Sequence, residues 1–220
     1  MQLALFDLDN TLLAGDSDFQ WGQFLISKGL LNEQEHLAKN LAFYEDYKAG
    51  RLDIYAFLDF QLKPLSEHSR SELDALHREY MQEKIQAMMT DKARALVEKH
   101  RQNGDLLMII TATNSFVTGP IAKAFGIDNL IGTTPEEVNG EFTGKVVGTP
   151  SFQAGKITRL NEWLAARGQS LSDFDTTWFY SDSHNDLPLM ELVDKPVAVD
   201  PDATLKAHAE QAGWPIISLR

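Results

Sequence analysis

The chain has 220 residues, a formal net charge of −12, 43% hydrophobic and 24% charged residues, and no cysteine. That length suits one large domain or a core with a substantial insert, and ordinary globular composition excludes wholesale disorder. An acidic balance without a Lys/Arg cluster argues against nucleic acid as a partner, and the missing cysteines exclude disulfides, thiol catalysis and cysteine-ligated metal.

Met1 to Phe6 shows neither a basic region nor an apolar stretch of signal-peptide length, so a soluble cytoplasmic protein without a membrane partner is expected. Leu3 to Phe6 reads as a buried parallel strand that ends abruptly in Asp7. From about residue 14 to 86 the pattern changes to aromatics, Leu, Glu and Gln at helical spacing, such as Trp21, Phe24 and Leu25 or Leu73, Leu76 and Tyr80. Alternation then resumes. Ala93, Leu96, Val97 and His100 share a helix face before Gly104, and a second strand, Leu106 to Ile110, ends in Thr111. That run is far shorter than the roughly 20 residues that span a bilayer.

Val117, Ile121 and Ala124 form the next helix face, and an Asn-Gly pair within Val138 to Phe142 signals a hairpin. Ile157, Leu160 and Leu164 follow Lys156. A third strand, Thr177 to Tyr180, ends in Ser181-Asp182, and Leu189, Met190 and Val193 follow Asp186 before a last strand at Pro196 to Val199. The expected fold is α/β, a doubly wound, mostly parallel sheet (residues 1–13 and 87–220) interrupted by a helical cap (residues 14–86). In such sheets ligands bind beyond the carboxyl ends of the strands.

Those ends carry the chemistry. Phe6-Asp7-Leu8-Asp9-Asn10-Thr11 places two carboxylates just past a buried strand, and Ser181-Asp182-Ser183-His184-Asn185-Asp186 places two more past another. Each has a plainer reading. Asp and Thr favour turns, Asp186 before Leu187-Pro188 suits a helix start, Thr111 suits a cap, and Lys156 alone would be a solvated surface lysine. Taken together, Asp7, Asp9, Asp182 and Asp186 would bring −4 to one crevice, which demands cations. A magnesium ion and Lys156 would supply +3, and oxygen ligands without cysteine favour magnesium over zinc.

The order DxDxT, strand-end Thr111, Gly155-Lys156, then strand-Asp182-x-x-x-Asp186 resembles the haloacid dehalogenase superfamily of phosphatases, over nearly the whole chain. The cap position and the stretch from Gly144 to Lys156 are most similar to its phosphoserine-phosphatase-like branch. The resemblance implies a magnesium-dependent phosphomonoesterase with Asp7 as nucleophile and Asp9 as acid and base. It further implies Thr111, Lys156 and Asn185 on the phosphoryl group. The metal would lie among Asp7, the Asp9 backbone carbonyl and Asp182, with Asp186 behind or bound through water.

Phosphoserine phosphatases read the substrate amine with a cap Glu and its carboxylate with a cap Arg. The resemblance puts Asp16 at the Glu position, and the Arg position falls near Asp59-Phe60-Gln61, where no arginine stands. Arg51 is one or two turns away. An acid at that position, here Asp59, favours an amino-alcohol phosphate, and some members of the branch act on histidinol phosphate in histidine biosynthesis. That small phosphomonoester is the expected substrate, with its imidazole meeting Phe60, Trp21 or Tyr44 or pairing with an acid, and with no obligate protein partner. Phosphoserine, a range of small phosphates, transfer to another acceptor, and a non-catalytic binding module on the same fold are the alternatives. Five histidines (His36, His68, His77, His100 and His208) read as ordinary helix residues, and the role of His184 is open.

Overall fold

Leu3, Ala4, Leu5 and Phe6 are all fully buried, which a strand achieves only inside a sheet covered on both faces. In the computed structural model, which describes all 220 residues, this strand, β1 (Leu3–Phe6), lies at the centre of a seven-stranded sheet. It pairs in parallel with β2 (Leu106–Asn114) on one side and β5 (Thr177–Ser181) on the other, Phe6 standing level with Ile109 and Tyr180. β1 and β5 end at nearly the same level, and β2 runs on beside them to Asn114, so Asp7, Asp182 and the in-strand Thr111 lie at one carboxyl edge.

Outward from β2 lie β3 (Asn129–Val138) and its antiparallel partner β4 (Glu141–Val147); outward from β5 lie β6 (Lys195–Val199) and β7 (Ile216–Ile217). The expected Asn-Gly turn joins β3 to β4, with Asn139 at φ 54° and Gly140 at φ 86°, the pair of positive angles a tight hairpin needs. The parallel part of β3 and the short β7 carry too little apolar sequence to be read in advance.

Alternate residues of each strand feed opposite cores. Leu3, Leu5, Met108, Ile110 and Phe179 pack against α7 (Ala154–Ala165), α8 (Leu187–Met190) and α9 (Ala203–Ala212). Ala4, Phe6, Leu107, Ile109 and Tyr180 face the other way, toward α5 (Asp91–Gln102) and α6 (Ser115–Ala124).

Between β1 and β2 the chain makes α1 (Ser17–Ser27), α2 (Glu33–Lys48), α3 (Ile54–Ser66) and α4 (Arg70–Tyr80). It leaves the sheet at Leu13 and returns at Met89, and these two residues bridge each other. Trp21, Phe24, Leu62, Leu73 and Tyr80 join the same core as Phe6, so α1, α3 and α4 are continuous with the sheet's packing. The tie is also polar: His77 Nε2 meets the Val117 carbonyl at 2.8 Å, and the Arg70 guanidinium donates to Glu137 at 2.7 Å. Helix α2 differs. His36 is its one buried residue.

Gly155, in the first turn of α7, has no room for a side chain, because a Cβ there would overlap the backbone carbonyl of Pro150. Gly119, within α6, has open space around it. Gly119→Ala should therefore stabilise the protein by about 0.4–1 kcal/mol, chiefly by stiffening the unfolded chain. Gly155→Ala should instead destabilise it by about 1–3 kcal/mol through overpacking. Denaturant titration of both variants checks this pair. Equal stability of the two would mean that the Pro150 turn yields freely.

Candidate active site

Past β1 the backbone enters a wide turn, Leu8 to Leu12, closed by the Leu13 N–H on the Leu8 carbonyl at 2.9 Å. Asp9 is extended within it, and Asn10 takes the left-handed region at φ 55°, a conformation that asparagine tolerates better than most residues. The loosened turn directs Asp7 and Asp9 to different partners and brings Thr11 back beneath Asp7. The Thr11 hydroxyl lies 3.3 Å from Asp7 Oδ2 and 3.1 Å from Asp182 Oδ1, and it accepts the Asp182 N–H at 3.0 Å.

Lys156 is 3% exposed, so it is no solvated surface residue. Its ammonium sits 2.8 Å from Asp7 Oδ1 and 2.8 Å from Asp186, whose Oδ2 also accepts the Ser181 hydroxyl at 2.6 Å. Asp186 begins the short helix α8 without capping it through its side chain. Burial alone would lower the Lys156 pKa, but Asp186 and Asp7 outweigh it and hold it above the usual lysine value. Burial pushes Asp7 up to about 7 despite the opposing pull of Lys156, with Asp186 adding to the rise. Asp182 is likewise raised well above the carboxylate range, by burial first and then by Asp7 and Asp186.

Asp9 turns the other way. Its Oδ1 accepts the Ser17 N–H at 2.6 Å, and its Oδ2 accepts the Thr113 hydroxyl at 2.8 Å and the Thr111 hydroxyl at 3.4 Å. Burial and the neighbouring Asp16 carboxylate raise its pKa to about 6. The cap of α6 is Asn114, which accepts the Val117 N–H, so Thr111 is free of that duty. The Asn185 side-chain carbonyl accepts from Gln153 at 2.8 Å.

Asp7, Asp9, Thr111, Thr113, Lys156, Asp182, Asn185 and Asp186 all open onto a cavity of about 400 Å³. Its lining holds seven aspartates (Asp7, Asp9, Asp16, Asp18, Asp182, Asp186 and Asp202) against Lys48, Lys156 and His184. Each of those bases already has an acid partner: Lys48 with Glu45 at 2.7 Å, His184 with Asp202 at 2.8 Å, Lys156 as above. Helix α2 contributes Asn40, Phe43, Tyr44 and Tyr47, spaced to share one face, and α3 contributes Ile54 and Phe57. The Tyr47 hydroxyl reaches Ser183 Oγ at 2.7 Å.

Asp16 lines the cavity as the cap of α1, one oxygen accepting the Phe19 N–H at 2.9 Å. Asp59 requires a correction: it is exposed on α3 and lies outside the cavity lining. Two residues along a helix turn the side chain by about 200°, so with Phe57 facing the cavity Asp59 points away. Gln61 instead turns inward and donates to Asp18 Oδ2 at 2.7 Å. Arg51 is largely exposed, pairs with Asp46 at 2.9 Å and does not line the cavity. Of the three aromatics expected to meet a ring, Tyr44 lines the cavity, whereas Trp21 is in the core and Phe60 stacks on His36.

The residues suit a hard divalent cation. Two carboxylates, the buried Asp7 and the half-buried Asp182, converge on one Thr11 hydroxyl, whose single proton can serve only one of them. Uncompensated anionic oxygens of this kind are the donor set that magnesium takes. Asp186 stands behind Asp7, holding Lys156.

Residues 4–191 match the family described as haloacid dehalogenase-like hydrolase. A histidinol-phosphatase of Neisseria meningitidis is 50% identical to the chain, covering 99% of both. Phosphoserine phosphatase SerB1 of Mycobacterium tuberculosis is 32% identical, over 99% of this chain and 70% of that protein. Among solved structures, a protein of unknown function from Bordetella pertussis superposes with a TM-score of 0.94 at 46% identity, covering 100% of this chain and 99% of that one. A phospho-aspartyl intermediate analogue of phosphoserine phosphatase superposes with a TM-score of 0.69, covering 99% and 93%, and at 18% identity this likeness is one of fold. The sheet, the carboxylates at its edge and the match over most of the sequence agree: the chain belongs to the haloacid dehalogenase-like hydrolases.

Proposed function

We propose that the chain is a magnesium-dependent phosphomonoesterase that works through an aspartyl-phosphate on Asp7 and hydrolyses histidinol phosphate. The observation that carries the chemistry is the Asp7 carboxylate in the cavity lining, tied to the Lys156 ammonium at 2.8 Å. An Asp7 oxygen attacks phosphorus as the ester P–O bond breaks, and Asp9 protonates the departing alkoxide. Asp9 then takes a proton from water, whose oxygen attacks the acyl phosphate, releasing inorganic phosphate and restoring Asp7. A pKa of about 6 suits Asp9 to both roles near neutral pH. Lys156, the Thr111 hydroxyl and the Asn185 amide hold the phosphoryl oxygens as their charge spreads. Magnesium, held by Asp7, Asp182 and the Asp9 carbonyl, would supply positive charge against the carboxylates and the phosphoryl group.

Residues 14–86 act as a cap over a core formed by 1–13 and 87–220, excluding water and reading the leaving group. Every base in the cavity lining is already paired with an acid, which leaves a substrate carboxylate without a partner. Histidinol phosphate has an ammonium for Asp16 and no carboxylate. The 50% identical relative named histidinol-phosphatase supports the same substrate.

Asp7→Asn should cost at least about a thousandfold in phosphate release, the scale of a lost nucleophile. The fold should survive, because Asp186 still pairs with Lys156. A folded Asp7→Asn enzyme with near-normal turnover would overturn the mechanism. Exhaustive chelation should stop activity and added magnesium should restore it, followed as phosphate release; full activity after chelation would remove the metal. Histidinol phosphate should exceed phosphoserine in kcat/KM by on the order of a hundredfold, since a carboxylate left unpaired in the cavity costs several kcal/mol. Equal values for the two substrates would refute the charge argument.

A further inference from the structure

Asp18 has no place in the phosphoryl chemistry, yet it is 7% exposed and lines the same cavity. Buried carboxylates usually have their oxygens satisfied. Here Gln61 donates to Oδ2 at 2.7 Å, while no protein group donates to Oδ1. An acid in the first turn of a helix is favourable on its own account. That account needs neither burial nor an orienting amide from α3, one turn beyond the cavity-lining Phe57.

The same cavity lining carries aromatic faces against which a flat ring can lie. Phe43 and Phe57 meet edge to face at 5.4 Å, and Tyr44 and Asn40 continue the same α2 face. The Asn40 side-chain N–H₂ has no partner in the protein. Asp9, Asp16 and Asp18 all line this one cavity, with Asp16 and Asp18 two residues apart at the start of α1.

We propose that Asp18, oriented by Gln61, is a specificity-determining residue that shares a proton with a ring nitrogen of the leaving alcohol, while the aromatic faces of α2 and α3 take the ring itself. Either partner can hold the proton: an imidazole N–H donates to the carboxylate, or the carboxyl O–H donates to an imidazole nitrogen. This deepens the reading of histidinol phosphate as substrate and rests on it.

The test compares histidinol phosphate with phenylalaninol phosphate, which keeps the amine and an aromatic ring but lacks ring nitrogen. Wild-type kcat/KM should favour histidinol phosphate by on the order of 10- to 100-fold, the reach of one charge-assisted hydrogen bond. Asp18→Asn should shrink that ratio by about tenfold, mainly through KM. Gln61→Leu, which keeps the carboxyl and removes only its orienting donor, should shrink it in the same direction and carries the test if Asp18→Asn does not fold. Equal wild-type rates on the two substrates, or an unchanged ratio in either folded variant, would overturn the role of Asp18. Failure of the substrate reading shows differently, as a wild-type preference for phosphoserine over both amino-alcohol phosphates, and it would remove this proposal as well.

Discussion

The site is organised around one buried lysine held between two buried carboxylates. Lys156 must reach Asp7 from α7 and Asp186 from the loop after β5, so the three segments meet only if the central strands end at the same level. Ion pairs this deep are costly to assemble, and removing one partner strands the others. The surrounding structure is fitted to that demand. Gly155 lets α7 begin against the Pro150 carbonyl, Ser181 donates to the same Asp186 oxygen that Lys156 reaches, and Thr11 joins Asp7 to Asp182.

That one cation leaves the cavity far from neutral. Asp7, Asp182 and Asp18 all have pKa values raised first by burial, so the protein has desolvated acids without supplying the charges they need. Under the proposed function a divalent cation and a nitrogen base would supply the missing charge, and a substrate carboxylate would find the lining bases already paired.

Much of this was legible in the sequence because it is local. Apolar runs that stop at an acid mark parallel strands and their tips together, and Asn139-Gly140 marks its own turn. The sheet order, the parallel stretch of β3 and β7 were not legible, since their pairing is decided by distant partners. The site divides along the same line. Asp7, Asp9, Asp182 and Asp186 stand in short motifs, whereas Asp18 gains significance only from Gln61, forty-three positions away, and Tyr47 only from Ser183. Asp59 was misplaced because a register transferred between helices carries an uncertainty of a residue or two, and one residue rotates a side chain by about 100°. Nor is His100 an ordinary helix residue: it is buried between Asp105 at 2.7 Å and the Tyr180 hydroxyl at 2.9 Å.

The central position of β1 has a consequence for how the protein is made. Leu3 pairs with Leu106 on one side and Thr177 on the other, so the strand that leads into Asp7 emerges from the ribosome long before either neighbour. Its apolar edges stay unpaired while α1 to α4 are synthesised, and those helices can condense locally in the interval. Non-local parallel pairing of this kind raises contact order and slows folding. The sheet's centre closes late, with β5, and the catalytic geometry cannot precede that step. A chain arrested before β5 would present a bare apolar strand, which is the kind of surface that chaperones shield.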